Sequence, residues 1–184
     1  MPNSPLPVPF PNSYWVLPAQ FLAGEHPAEL DAEEFCQKLA ALLDAGIRTF
    51  IDLTEPRDLG EDGGVIFGYR RLLSELADAR QLEITQLTVP VQDRGVPSAA
   101  TMRCILAVID RSLADQNPVY VHCLAGIGRT GTVVGCYLKR HGLATDDGVV
   151  DRIAELRSFM EEDWGPSPQT PEQVRMIQTW QETV

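Results

Sequence analysis

The sequence predicts an α/β domain whose central, mostly parallel sheet of about four to five strands is flanked by helices. Three observations carry this. Short apolar strand-like runs alternate with runs of helical period through most of the chain, the pattern of a sheet covered by helices. Val119–Val121 is a short apolar run of the kind a central strand shows. The residues after it form a loop at the carboxyl end of a strand and feed a helix, which is where such sheets place ligands. The 184 residues suit one domain with one sizeable core.

The elements follow in order. Met1–Pro11 is rich in proline, which blocks helix and favours extended geometry. An extended arm is therefore expected over residues 1–13, with a single domain over 14–184. The prolines at 2, 5, 7, 9 and 11 also fit a ligand for an SH3-like groove. Tyr14–Val16 and Phe21–Ala23, around a turn at Pro18, read as a small hairpin at a sheet edge. Asp31 caps a helix whose Phe35, Leu39, Leu42 and Leu43 share one face, with Glu34 completing a box-like pattern and Gly46 as the stop. Thr49–Leu53 reads as a buried strand. Polar and glycine-rich residues, Glu55 to Gly64, precede a helix placed within Ile66–Ala79.

Ile84–Val91 alternates as a second strand. Gln92 to Pro97 is a loop by its turn residues. Ser98 caps a helix with Met102, Ile105, Leu106, Ile109 and Leu113 on its apolar face. Gly128 to about Arg140 is helical, and Gly142 stops it. Thr145 is expected to cap the next helix, with Asp146 and Asp147 in its positive first turn and Val149, Val150, Ile153, Leu156 and Phe159 facing the core. Thr170-Pro171-Glu172-Gln173 starts the last helix, with proline at its first position.

Composition narrows the function classes. The chain is 44% hydrophobic and 22% charged, ordinary for a globular protein. Its net charge of −11 argues against general nucleic-acid binding and against anionic membranes as partners. There is no run of about 18 apolar residues. The start carries no basic region or apolar centre of a secretory signal, so a reducing cytoplasm is expected. Cys36, Cys104, Cys123 and Cys136 form no C-x-x-C pair and no zinc-spaced His/Cys cluster. Cys36, Cys104 and Cys136 read as core residues of helices rather than redox partners, and acidic runs such as Glu161-Glu162-Asp163 as solvated faces.

An acidic protein that binds an anion needs a local positive site, and one segment supplies it: His122-Cys123-Leu124-Ala125-Gly126-Ile127-Gly128-Arg129-Thr130-Gly131. A cysteine ends a strand just before a helix. Gly126, Gly128 and Gly131 let the backbone curl and turn its N–H groups inward. Those groups and the helix N-terminus make an anion cradle, and the same field stabilises a thiolate at Cys123. The planar guanidinium of Arg129, six residues on, can hold two anion oxygens at once. A nucleophile at the floor of a tetrahedral-anion site implies attack on phosphorus. A lone cysteine would be read as a packed core residue; the glycines and Arg129 at this spacing favour the site.

The string His-Cys-x5-Arg-Thr-Gly resembles the signature loop of the protein tyrosine phosphatase superfamily, most closely its small dual-specificity-type members. Further segments share the resemblance. Val89 to Ser98 is similar to the family's mobile general-acid loop, with Asp93 at the matching position. Residues 167–173 (Ser-Pro-Gln-Thr-Pro-Glu-Gln) resemble the loop whose glutamine positions water, and Ile51-Asp52-Leu53 an early strand. The likeness runs over roughly 24–180 and is strong at the cysteine loop.

The resemblance implies a hydrolase that needs no metal or cofactor. Cys123 attacks phosphorus while Asp93 protonates the departing oxygen, and water then cleaves the phosphocysteine with Asp93 as base. Arg129 and the loop formed by Leu124, Ala125, Gly126, Ile127 and Gly128 stabilise the equatorial oxygens. Thr130 is expected to donate to the cysteine sulfur, and His122 to act as a structural donor rather than a base. Either Gln169 or Gln173 positions water, and Gln173 is also the third residue of a Thr-x-x-Gln capping box. Asp93 also suits a plain turn, with Asp52 and Asp110 as weaker rivals for the acid. No counterpart of a tyrosine-clamping loop is present, which implies a shallow pocket open to phosphoserine and phosphothreonine as well as phosphotyrosine. Leu124, Ala125 and Ile127 stand where relatives acting on inositol phosphates often carry lysine. The expected partner is thus a phosphorylated protein or another modestly charged phosphomonoester, with phosphate, sulfate or vanadate as binding anions. A small-metabolite or inositol phosphatase and a catalytically silent phosphate-binding module are the alternatives.

Overall fold

A computed structural model describes residues 6–56, 58, 68–160 and 165–182. Five strands, β1 (Ser13–Leu17), β2 (Phe21–Gly24), β3 (Thr49–Asp52), β4 (Thr85–Thr88) and β5 (Val119–His122), form one sheet in the order β1-β2-β5-β3-β4. Only β1 runs antiparallel, closing the predicted edge hairpin; β2, β5, β3 and β4 are parallel. The helices are α1 (Ala32–Asp44), α2 (Arg70–Ala79), α3 (Ala99–Ala114), α4 (Gly128–Arg140), α5 (Val149–Arg157) and α6 (Pro171–Thr179).

Period-2 side-chain alternation divides the core into two layers. On one face Phe21, Ala23, Ile51, Val119 and Val121 pack under Met102, Leu106, Val133, Val134, Ile153 and Ile177. On the other, Leu22, Phe50 and Tyr120 meet Leu39, Leu42, Leu43, Tyr69 and Leu73. The arm joins this second layer. Phe10 is buried edge-on to Tyr120 beneath Lys38, and the Trp15 indole donates to the Pro7 carbonyl. Residues 1–5 lie outside the described residues, as do the acidic run 161–163 and most of the segment from Glu55 to Gly64.

The register aligns one end of the sheet. Gly24 pairs with His122, His122 with Asp52, and Asp52 with Thr88, so four parallel strands end in one row. The segments that leave this row carry His26, Asp58, Asp93, Cys123 and Arg129, and the connection from α5 to α6 adds the remaining side chains of the site described below.

Four expectations are corrected. The strand expected over Ile84–Val91 is cut to Thr85–Thr88: Val89 and Val91 still donate to the carbonyls of Asp52 and Leu53, but Pro90 between them has no amide to give. Its residues are half-buried or exposed because β4 is an edge strand. The helix expected from Thr145 starts at Val149. The Thr145 hydroxyl instead accepts from the Gly148 amide in a preceding turn, and Asp146 pairs with Lys139 of α4. That helix ends at Arg157, so Phe159 falls beyond it and is 74% exposed. Cys104 is not a core residue: it sits on the solvent side of α3, off the buried stripe of Met102, Ile105, Leu106 and Ile109, while Cys36 is half-buried and Cys136 buried.

Candidate active site

Cys123 leaves β5 at its buried end and is 3% exposed. The loop after it turns through Gly126, at φ 70°, a conformation costly for any side chain. A methyl group there would also lie 2.4 Å from the Gly24 carbonyl carbon, so the loop and the strand end of β2 are in backbone contact. His26 N donates to the Leu124 carbonyl at 2.8 Å and locks the same contact one residue on. Gly128 then opens α4, whose first turn supplies the positive end of a helix to the loop.

Arg129 is 2% exposed and almost fully engaged. Its Nη1 donates to Asp58 Oδ2 at 2.5 Å and to the Val91 carbonyl at 3.1 Å, while Nη2 lies 3.2 Å from Asp93 Oδ1. Burial works against its charge, and Cys123, Asp58 and Asp93 outweigh that, holding its pKa above the ordinary value. The structure thus brings Cys123, Arg129 and Asp93 to one place from two separate segments. Asp93 is the most open of them, its side chain 61% exposed.

His122 is fully buried. Its Nδ1 lies 3.2 Å from the Cys123 carbonyl and its Nε2 2.7 Å from the Tyr69 hydroxyl. A carbonyl can only accept, so Nδ1 carries the proton, Nε2 is the acceptor, and Tyr69 donates. Burial, aided by the nearby Arg129 charge, pushes the His122 pKa down to about 3, which keeps the ring neutral. The His26 and Tyr69 rings pack edge-on against it, and Tyr120 stacks beside it.

Thr130 departs from expectation. Its hydroxyl points to the Gly24 carbonyl, 3.4 Å away, and makes no hydrogen bond to the Cys123 sulfur; it is spent on the seam between loop and β2. Gln173 is fully buried and serves the α6 cap, its Oε1 accepting from the amides of Gln169 and Thr170 and its Nε2 donating to the Gly95 carbonyl. Gln169 is exposed; its side-chain oxygen lies beside Gly128, where a methyl group would come within 2.7 Å of it and within 3.0 Å of the Gln173 carboxamide. Asp52 accepts from the amide and hydroxyl of Thr54 and lies beside His122, whereas the carboxylates that meet Arg129 are Asp58 and Asp93. Asp110 pairs with Arg140 and His141, residues of the far end of α4, so it is no acid for Cys123.

Sequence reasoning missed Asp58, Tyr69, His26 and Ser167, whose hydroxyl donates to the Ile127 carbonyl. None shares a motif with the cysteine loop. Among the described residues there is no cluster of metal-ligating side chains, and no helix is long and apolar enough to cross a membrane.

A strand-borne cysteine, a glycine-turned loop opening a helix, and a buried arginine facing an aspartate of a neighbouring loop define a cysteine-based phosphatase of the dual-specificity and tyrosine phosphatase fold. A family model described as "Tc-R-P: Polymorphic toxin system, DSP-PTPase phosphatase" matches residues 27–143, and the chain belongs to that family. An uncharacterized protein of Methanocaldococcus jannaschii is 34% identical over 82 residues, covering 44% of this chain and 52% of that one. The dual specificity protein phosphatase CDC14B of Mus musculus is 65% identical over 42 residues, 23% of this chain and 8% of its own length. The phosphatidylglycerophosphate phosphatase PTPMT2 of Arabidopsis thaliana is 28% identical over 130 residues, 70% of this chain and 51% of that protein. The chain thus spans about half the length of two of these relatives and a small part of the third. Among solved structures, Tk-PTP in its active form matches with TM-score 0.64 at 17% identity, over 91% of this chain and 95% of the other. PTPMT1 in complex with PI(5)P matches with TM-score 0.63 at 21% identity, over 91% and 92%.

Proposed function

We propose that the chain hydrolyses phosphomonoesters through a phosphocysteine at Cys123, with a phosphorylated protein side chain as its preferred substrate. The observation that supports this is the position of Arg129: it lies in the first turn of the helix that follows the Cys123 loop, buried, with Nη2 3.2 Å from Asp93 Oδ1, so a nucleophile, an anion clamp and a proton donor can act at one point. In the first step the thiolate forms the S–P bond, the P–O bond to the leaving group breaks, and Asp93 gives its proton to the departing oxygen. In the second, water attacks phosphorus, Asp93 takes up its proton and the thiolate leaves. The Nε–Nη2 edge of Arg129 and the inward loop amides hold the phosphoryl oxygens in both. Both glutamine carboxamides lie beside Gly128 at the start of α4; that of Gln173 is taken up by the α6 cap and the Gly95 carbonyl, which leaves Gln169 as the water-positioning glutamine. A reducing compartment suits the thiolate.

The preference for a protein substrate rests on the loop itself. Leu124, Ala125 and Ile127 add no cation that would hold a polyanionic headgroup. A lipid-phosphate reading has its own support, in the PTPMT2 relative named as a phosphatidylglycerophosphate phosphatase and in the PTPMT1 neighbour bound to PI(5)P. Comparing kcat/KM for phosphotyrosyl and phosphothreonyl peptides, inositol phosphates and phosphatidylglycerophosphate in mixed micelles tests the choice. Peptides should lead by tenfold or more, and a lead for the lipid would reverse the assignment.

A further inference from the structure

The proton donor is held by a helix cap. Before Asp93, the chain is fixed by the Val91 amide on the Leu53 carbonyl and by Arg129 on the Val91 carbonyl. Beyond Asp93, the next residue is Arg94, a non-glycine residue at φ 60°, a conformation that persists only when its surroundings enforce it. Two side chains of the α6 cap reach this stretch. The Thr170 hydroxyl lies 3.3 Å from the Arg94 carbonyl, and Gln173 Nε2 donates to the Gly95 carbonyl at 2.9 Å. Gln173 is fully buried, and its Oε1 already takes the amides of Gln169 and Thr170, so this one carboxamide closes the cap and grips the loop together. The Asp93 carboxylate is largely in solvent and meets Arg129 Nη2 at 3.2 Å, while the backbone that carries it is held by these contacts.

We propose that Gln173, assisted by Thr170, is a positioning residue for the general acid: it latches the Asp93 loop to the α6 N-terminus, and the water-positioning role falls to Gln169 alone. This rests on the phosphocysteine reading, and it separates two steps that kinetics can separate. The ratio kcat/KM covers events up to P–O cleavage, so it senses the acid and is blind to later water attack. Loss of the acid is felt most by esters whose leaving oxygen needs the proton.

Gln173→Glu is the informative variant. It keeps an acceptor for the two cap amides and removes the N–H given to Gly95. Measured with a series of aryl phosphates from strongly activated to phenyl phosphate, Gln173→Glu should lower kcat/KM at the poor leaving-group end by roughly tenfold more than at the activated end, and flatten the basic limb of the pH profile. Asp93→Asn should give the same steepening in stronger form, and Gln173→Glu added to it should steepen the series no further. Gln169→Ala should leave the slope of the kcat/KM series unchanged, lower kcat and produce a burst of released phenol. Gln173→Met, read on the same series, serves if the buried carboxylate unfolds the chain. A Gln173 variant whose kcat/KM falls equally for all esters, or whose only defect is a burst, overturns the latch while leaving the chemistry intact. An Asp93→Asn protein with an unaltered series overturns the phosphocysteine reading with Asp93 as acid instead.

Discussion

Asp58 shows how much of this site is charge held out of water. Its carboxylate is 5% exposed, and the guanidinium it meets is 2% exposed. A buried pair adds little net stability, but removing one partner strands the other. Arg129 would keep Asp93 and the Val91 carbonyl, so Asp58→Ala should destabilise the protein by roughly 1–3 kcal/mol and also lower kcat/KM, because Arg129 loses its buried anchor. Urea unfolding measures the first effect; an unchanged midpoint would remove Asp58 from the site's framework. Gly126 is the second residue whose chemistry is fixed by space. Gly126→Ala places a methyl group against the β2 backbone at a left-handed φ, so vanadate inhibition should weaken by at least tenfold while the far-UV spectrum is kept.

At the scale of elements, the loop junctions matter more than the helices they join. Thr170 caps α6 through its hydroxyl, and Thr170→Ala should cost about 1 kcal/mol of stability, readable as a lower thermal midpoint. The capping box, the proline at its first position, the Ser98 cap and the Asp31 cap are all written in short contiguous strings, and the structure shows each of them. The cysteine loop is legible for the same reason: its cysteine, glycines and arginine lie within ten residues. Asp58, Tyr69 and His26 are not legible, because only the register of β2, β3 and β5 brings them to Cys123, and register is a property of the whole sheet. Thr130 departs from expectation for a related reason. Its neighbours in sequence suggest the sulfur, whereas the packing of β2 offers a backbone carbonyl.

At the scale of the molecule, the layer beneath the cysteine loop is a set of rings and hydroxyls kept neutral by burial. Burial lowers the pKa of His26, as it does that of His122, which falls to about 3 against an unfolded value of about 6.5. Between those pH values the unfolded chain binds more protons than the folded one, so stability is fully present above about pH 6.5 and declines as pH falls toward 3. His122 alone should remove on the order of 2 kcal/mol between pH 6.5 and 5. Denaturation midpoints across that range check this, and a His122→Asn variant should show a shallower decline. A flat profile in the wild type would mean that the ring is not buried in its neutral form.

The whole arrangement converges on Cys123, and the most direct test is hydrolysis of p-nitrophenyl phosphate in EDTA by the wild type and by Cys123→Ser. The account predicts steady metal-free turnover by the wild type and none by the serine variant. Turnover that survives in Cys123→Ser, or a reduced and folded wild type that binds vanadate yet releases no nitrophenol, would contradict it.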